Sequence, residues 1–183
     1  MEAMNPYLSY PPIQEAIQQH NPYHPGRDLL ILGIWNNILA SQFPVTHGFL
    51  ITPREHGWNN ERDLWFDLQV QHVSSSIHMA FLVVICRTAS QATNGHEGIQ
   101  DWIDHLEMYL DMIFGPRRRG GHPVRVFGGI VYRRTVAFYS KVVGGDSSLT
   151  IMPEHIDMNK AEFDILEDQE IIQEVLTSMN PLR

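Results

Sequence analysis

Cysteine is almost absent: Cys86 is the single one in 183 residues, so no disulfide can form within the chain and a disulfide-stapled scaffold is excluded. Cys86 itself lies in the apolar run Phe81 to Cys86 and reads as a small buried hydrophobe. Long hydrophobic stretches are also missing, and none approaches the roughly 18 residues of a membrane span. Met1 to Pro6 has neither the basic nor the apolar region of a secretory signal. With a lone thiol, this leads us to expect an intracellular protein, cytoplasmic or nuclear. Cations are scarce: 13 Lys and Arg stand against 21 Asp and Glu, a formal charge of −8, which is not the balance of a dedicated nucleic-acid binder. No glycine-rich phosphate loop, nucleophile elbow or Cys–His dyad occurs, so covalent catalysis has no support.

Apolar side chains, by contrast, are plentiful. Hydrophobic residues make up 43%, with 4 Trp, 6 Tyr and 8 Phe, enough to exclude disorder and to fill one continuous core. Residues 1–26 contain five prolines and read as an N-terminal arm. The arm carries one short helix, Pro12 to His20, and is expected to pack through Tyr7, Tyr10, Ile13 and Ile17. Residues 27–183 read as a single α/β domain.

The periodicities within that domain give an order of elements. Asp28 to Phe43 is apolar around most of a helical circumference and is stopped by Pro44, which predicts a core helix. Gly48 to Thr52 is a short strand ended by Pro53, with a loop from Arg54 to Asp63. Leu64 to Val73 alternates, setting Phe66, Leu68 and Val70 against Asp67, Gln69 and Gln71. After Ser74 to Ser76, the stretch from Ile77 to Arg87 is nearly all apolar and fits a central strand paired as a hairpin with the one before. From His96 to Phe114 apolar residues recur at three and four, an amphipathic helix. Strands Val124 to Tyr132 and Thr135 to Val143 follow, with Gly128-Gly129 reading as a bend. A strand, a crossover helix and another strand imply parallel pairing. A short strand over Leu149 to Met152 and a helix from Glu167 to Met179 close the order. Trp35, Leu68, Val83, Val84, Trp102 and Leu106 are the predicted core.

That order, with Asp67 on the first hairpin strand, resembles the restriction-endonuclease-like fold of the PD-(D/E)XK superfamily, in divergent forms found among fungal proteins. The segments that carry the resemblance are Gly33 to Leu39, Phe66-Asp67-Leu68, Phe81 to Arg87, the helix at 96–114 and Val131 to Tyr139. The resemblance implies an α/β (α+β) class: a mixed central sheet with a β-hairpin and a crossover helix, flanked by helices. It also implies a site in which an Asp and a Glu hold Mg²⁺ and a Lys two residues after the Glu serves the attacking water. Asp67 matches the Asp, but Ile85 stands at the Glu position and Arg87 at the Lys position. Ile85 offers no oxygen to a hard cation, and Arg87 stays protonated, so neither can do the chemistry of the residue it replaces.

The leading expectation is therefore a catalytically inactive nuclease-like domain used for binding or assembly, with Asp67 and Arg87 as the remnant site, no metal and no cofactor. Two alternatives stay open. One is an enzyme acting on a small molecule in a remodelled cleft lined by Trp35, Trp65, Asp67 and Arg87. The other is a nuclease with a migrated ligand, for which Glu61, Asp63, His72, His78 and Glu97 are candidates. Asp101 and His105 share a helical face but read as solvated.

The charges also fall unevenly. No acid occurs between Met112 and Gly145, which hold Arg117, Arg118, Arg119, Arg125, Arg133, Arg134 and Lys141, whereas 154–174 is rich in acids. The interval reads either as an ordinary solvated surface or as a binding surface at Arg117, Arg118 and Arg119 for a protein partner or a second copy of the chain. A small molecule is a further candidate, nucleic acid ranks behind both, and no membrane is expected.

Overall fold

In the computed structural model the described residues are 7–19, 28–56, 65–74, 78–87, 98–114, 124–143, 148–152 and 160–182, with backbone alone at 28–29, 54–56, 65–67 and 78. They form a mixed α/β domain. The helices are α1 (Pro11–Gln19), α2 (Asp28–Gln42), α3 (Ile99–Phe114) and α4 (Gln169–Ser178). The strands are β1 (Phe49–His56), β2 (Trp65–Val73), β3 (His78–Arg87), β4 (Val124–Tyr132), β5 (Thr135–Val143), β6 (Thr150–Met152) and β7 (Phe163–Asp164). The seven strands make one sheet in the order β1-β2-β3-β4-β5-β6, with β7 also paired to β5. Among the described strands only β3 and β4 run parallel, with α3 between them in the chain as the sequence pattern required.

The sheet separates two apolar layers. Leu68, Val70, Leu82, Val84, Cys86, Val131, Val136 and Phe138 face α1, α2 and α4. Val83, Ile85, Val126, Ile130, Ala137 and Tyr139 face α3. All six of the predicted core residues are buried. Helix α2 buries one stripe, Ile31, Ile34, Trp35, Ile38 and Leu39, at the three- and four-residue spacing of a single helical face, while Gly33, Asn36, Asn37 and Ala40 are exposed, so the apolar cover expected around most of its circumference narrows to one side. Helix α3 has a single stripe, Trp102, Leu106, Leu110 and Phe114, at four-residue spacing.

Several expectations change. Strand β1 does not end at Pro53 but runs to His56, because it is the terminal strand of the order and a proline there breaks no ladder on its open side. Gly128 and Gly129 lie within an unbroken β4 rather than at a bend. Gly128 is needed for close approach, since a Cβ there would stand 2.7 Å from Leu106 Cδ2 on α3. The β2–β3 register shifts between Val70, opposite Leu82, and Gln71, opposite Ala80, leaving Phe81 as the extra residue. The bulge turns Phe81 into the α2 layer, where its ring meets Phe43 at 5.3 Å and Phe49 at 5.9 Å.

The described part of the arm joins the same core. Tyr7, Ile13 and Ile17 are buried within the α2 layer, and the Tyr7 hydroxyl donates a 2.6 Å hydrogen bond to the Ile165 carbonyl. Tyr10 does not pack as expected and is 44% exposed. The two-residue strand β7, which the sequence pattern did not indicate, is fixed by Asp164, whose carboxylate accepts from Arg134 and from the Leu166 N–H.

Candidate functional site

The positions that the sequence aligned with a metal site fall at the C-terminal end of β3. Asp67 pairs with Ile85 across the β2–β3 ladder, and the expected ion pair of the Asp67 side chain lies outside the described residues, as does the Trp65 side chain. Ile85 is 2% exposed and belongs to the α3-side layer. Arg87 is 1% exposed, and alternation along β3 puts it on the face of Val83 and Ile85. A guanidinium this deep is tolerated only with compensating groups, so Arg87 is a fixed internal residue rather than a solvent-facing one.

Trp35 is not beside it. It is fully buried in the layer on the other face of the sheet, edge-on to Phe138 at 6.2 Å. Trp35 and Arg87 therefore do not line one cleft, and the pocket expected from Trp35, Trp65, Asp67 and Arg87 is not formed by the two whose side chains are described. Among the described residues no group of three or more His, Cys, Asp or Glu could hold a metal ion. Asp101 instead caps its own helix, its carboxylate accepting the Gly98 N–H at 2.7 Å.

Among the described residues, the cations of the basic interval are committed within the chain. Lys141 is 7% exposed, and its Nζ donates to Glu107 at 2.9 Å and Asp111 at 2.8 Å, tying β5 to α3. Burial works against its charge, but the two carboxylates outweigh that and hold the ammonium above its ordinary pKa. Arg134 pairs with Asp164 at 2.9 Å. The Arg133 guanidinium lies 4.9 Å from the centroid of the Tyr132 ring, in a turn where Arg133 has φ 57°. Asp168 of the acidic segment accepts from Lys160 at 2.6 Å. Burial pushes its carboxyl up, and the Lys160 ammonium together with the Asp164 N–H more than offset this, leaving it below the usual carboxylate range. Residues Arg117, Arg118 and Arg119 lie outside the described residues.

A concave site lies elsewhere on the α3 face. A groove of about 370 Å³ opens between the start of α3 and the turn-proximal halves of β4 and β5. Ile130 and Ala137, paired across the β4–β5 ladder, contribute apolar surface. Trp102, Tyr132 and Tyr139 contribute rings, and Ile99, Thr135 and Glu162 complete it. Trp102 and Tyr132 meet at 5.3 Å with their planes inclined at 46°. Burial, and then the Glu162 carboxylate, push the Tyr139 phenol above its ordinary pKa, so Tyr139 is a neutral hydroxyl at ordinary pH. The groove adjoins the end of β3 directly, because Ile85 pairs with Ile130 and Arg87 with Tyr132. Sequence reasoning missed it. The ring residues read as strand and helix core, and only the parallel β3–β4 register brings them beside Arg87.

Comparison with protein-family models, with curated proteins and with solved structures returns no match to this chain. No helix among the described residues is long and apolar enough to cross a membrane.

Proposed function

We propose that this chain is a catalytically inactive domain of nuclease-like ancestry that works as a binding module, taking its ligand in the groove between α3, β4 and β5. The observation that carries the reading is the state of the β3 terminus, where Ile85 and Arg87 are 2% and 1% exposed. Metal-assisted hydrolysis needs oxygen ligands around a hydrated cation and a group that can orient or deprotonate water. Ile85 supplies no oxygen, and the Arg87 guanidinium keeps its protons at any ordinary pH. The ancestry itself is supported by the element order, in which a helix, three antiparallel neighbours and a crossover helix lead to a strand parallel to the third.

The groove rather than the charged surface is the favoured binding site, because Lys141, Arg134, Asp164 and Asp168 are already paired within the domain. The test has two parts. The purified protein, incubated with single- and double-stranded DNA and RNA in Mg²⁺ or Mn²⁺, is expected to leave all four intact. Cleavage that disappears in Asp67→Ala would overturn the inactive reading. A screen of small apolar and aromatic compounds by two-dimensional amide NMR is expected to shift signals from Ile99, Trp102, Tyr132 and Tyr139 together. Shifts confined to other surfaces would remove the groove from the proposal.

A further inference from the structure

The chemistry of the groove narrows its ligand. Three of its contributors are aromatic, and Glu162 is the single charged residue among the described residues that line it. Aromatic faces carry negative electrostatic potential and attract cations within about 6 Å of the ring centroid, most strongly for indole. The molecule already uses this attraction at the groove's edge: Arg133 places its guanidinium 4.9 Å from the Tyr132 centroid, and Arg133 is not among the groove-lining residues. Glu162 is exposed, yet its field reaches the Tyr139 hydroxyl. Two guanidiniums stand nearby, Arg133 over Tyr132 and Arg87 opposite Tyr132 in the β3–β4 ladder, but neither lines the groove, whose described lining offers an anion one carboxylate and three aromatic rings. A neutral apolar ligand would leave the carboxylate unused, whereas a cation with an apolar skin is matched by both features.

We propose that the groove binds a small organic cation, an alkylated ammonium whose methyl or methylene groups lie against Trp102 and Tyr132 while its charge is balanced by Glu162. This rests on the reading of the groove as the ligand site and adds the class of ligand. A compact head group of this kind is weakly hydrated, so moving it from water to aromatic surface costs less than moving a primary ammonium. The site is open and of modest size, so affinity for the head group alone is expected in the millimolar range, on the order of 1 mM.

The decisive comparison is choline against 3,3-dimethylbutan-1-ol, which has the same shape with carbon in place of the charged nitrogen. Each is titrated into the full chain and followed by the indole N–H signal assigned to Trp102 through Trp102→Phe. Choline is expected to saturate the shift and to bind at least about five-fold more tightly than the neutral isostere. Glu162→Gln, at an exposed position that leaves the fold intact, is expected to weaken choline by about three-fold or more and to leave the isostere unchanged. Equal binding of the two compounds, or choline binding indifferent to Glu162→Gln, would overturn the cation inference while leaving the groove as a site. No saturable shift at Trp102 with either compound, or with any member of the apolar screen, would overturn the groove reading itself.

Discussion

The contact between Leu106 of α3 and Gly128 of β4 fixes how the crossover helix lies on the sheet, and it makes a quantitative prediction. A Cβ added at Gly128 would stand 2.7 Å from Leu106 Cδ2, 2.8 Å from Cδ1 and 3.0 Å from Cγ. Carbon atoms at rest keep about 3.5–4.0 Å, so the added methyl overlaps a side chain that is itself 0% exposed and has no free space to turn into. Overpacking of this kind costs about 1–3 kcal/mol, against which the reduced freedom of the unfolded alanine chain returns about 0.4–1 kcal/mol. Gly128→Ala alone should therefore lose about 1–2 kcal/mol. Leu106→Ala should lose about 2–5 kcal/mol by leaving a cavity. In the double variant the methyl added on β4 enters the space that the leucine side chain vacated, so the two costs cannot add. The sum of the single losses should exceed the double loss by about 1 kcal/mol or more. Urea unfolding of the four proteins followed by circular dichroism measures all the terms, provided the slopes agree. Additivity within about 0.5 kcal/mol would mean that α3 does not lie over Gly128, and the groove at the start of the same helix would lose its wall.

Two further predictions probe the charged and phenolic anchors. Lys141→Met keeps the buried stem but removes the ammonium between Glu107 and Asp111, whose side chains are 35% and 54% exposed and can return to water; the loss should be about 1–2 kcal/mol in urea unfolding, shrinking at high salt. A loss under about 0.3 kcal/mol would show that the lysine does not hold β5 to α3. Burial, then Asp164 and Asp168, push the Tyr7 phenol far above its ordinary pKa. The unfolded chain releases that proton from about pH 10 while the folded chain keeps it, so stability should be intact below about pH 10 and fall as pH rises beyond it. Tyr7→Phe should cost about 1–2 kcal/mol at neutral pH by leaving the Ile165 carbonyl without its bond, and its stability should fall less steeply above about pH 10. Parallel alkaline curves for the two proteins would refute that assignment.

How far the sequence was legible depends on the range of the interaction that decides each feature. The β2 and α3 segments were readable because their apolar residues recur periodically, α2 and β3 because theirs are nearly continuous, and the parallel β3–β4 pairing followed from chain geometry. Strand β7 was not readable, because two residues have no period; Arg134 and the Asp164 turn hold them, a contact spanning 30 residues. The extension of β1 through Pro53 was hidden because a proline ends a central strand but not an edge strand, and edge status is a property of the whole sheet order. The role of Gly128 was misread for the same reason: a glycine that makes room for a distant leucine looks, in sequence, like one that bends its own strand.

The site divides along the same line. The chemistry of Ile85 and Arg87 was legible, since no environment gives an isoleucine an oxygen or makes a guanidinium a base at ordinary pH. Their depth was not, because alternation tells which face a residue occupies but not what covers that face. Placing Trp35 in a cleft with Arg87 failed on this point. The tryptophan sits in the layer under α2, and a seven-stranded sheet lies between the two. The groove that does open is lined from β4, β5, α3 and the stretch before β7, whose members are separated by up to 64 residues between Gly98 and Glu162. Each ring in it is ordinary in its own segment: Trp102 lies on the apolar stripe of α3, and Tyr132 and Tyr139 sit on their strands. The register of β3 on β4 sets Tyr132 beside Arg87, and ligand chemistry in the groove becomes a question about Glu162 and the rings rather than about metal ligands at Asp67 and Ile85.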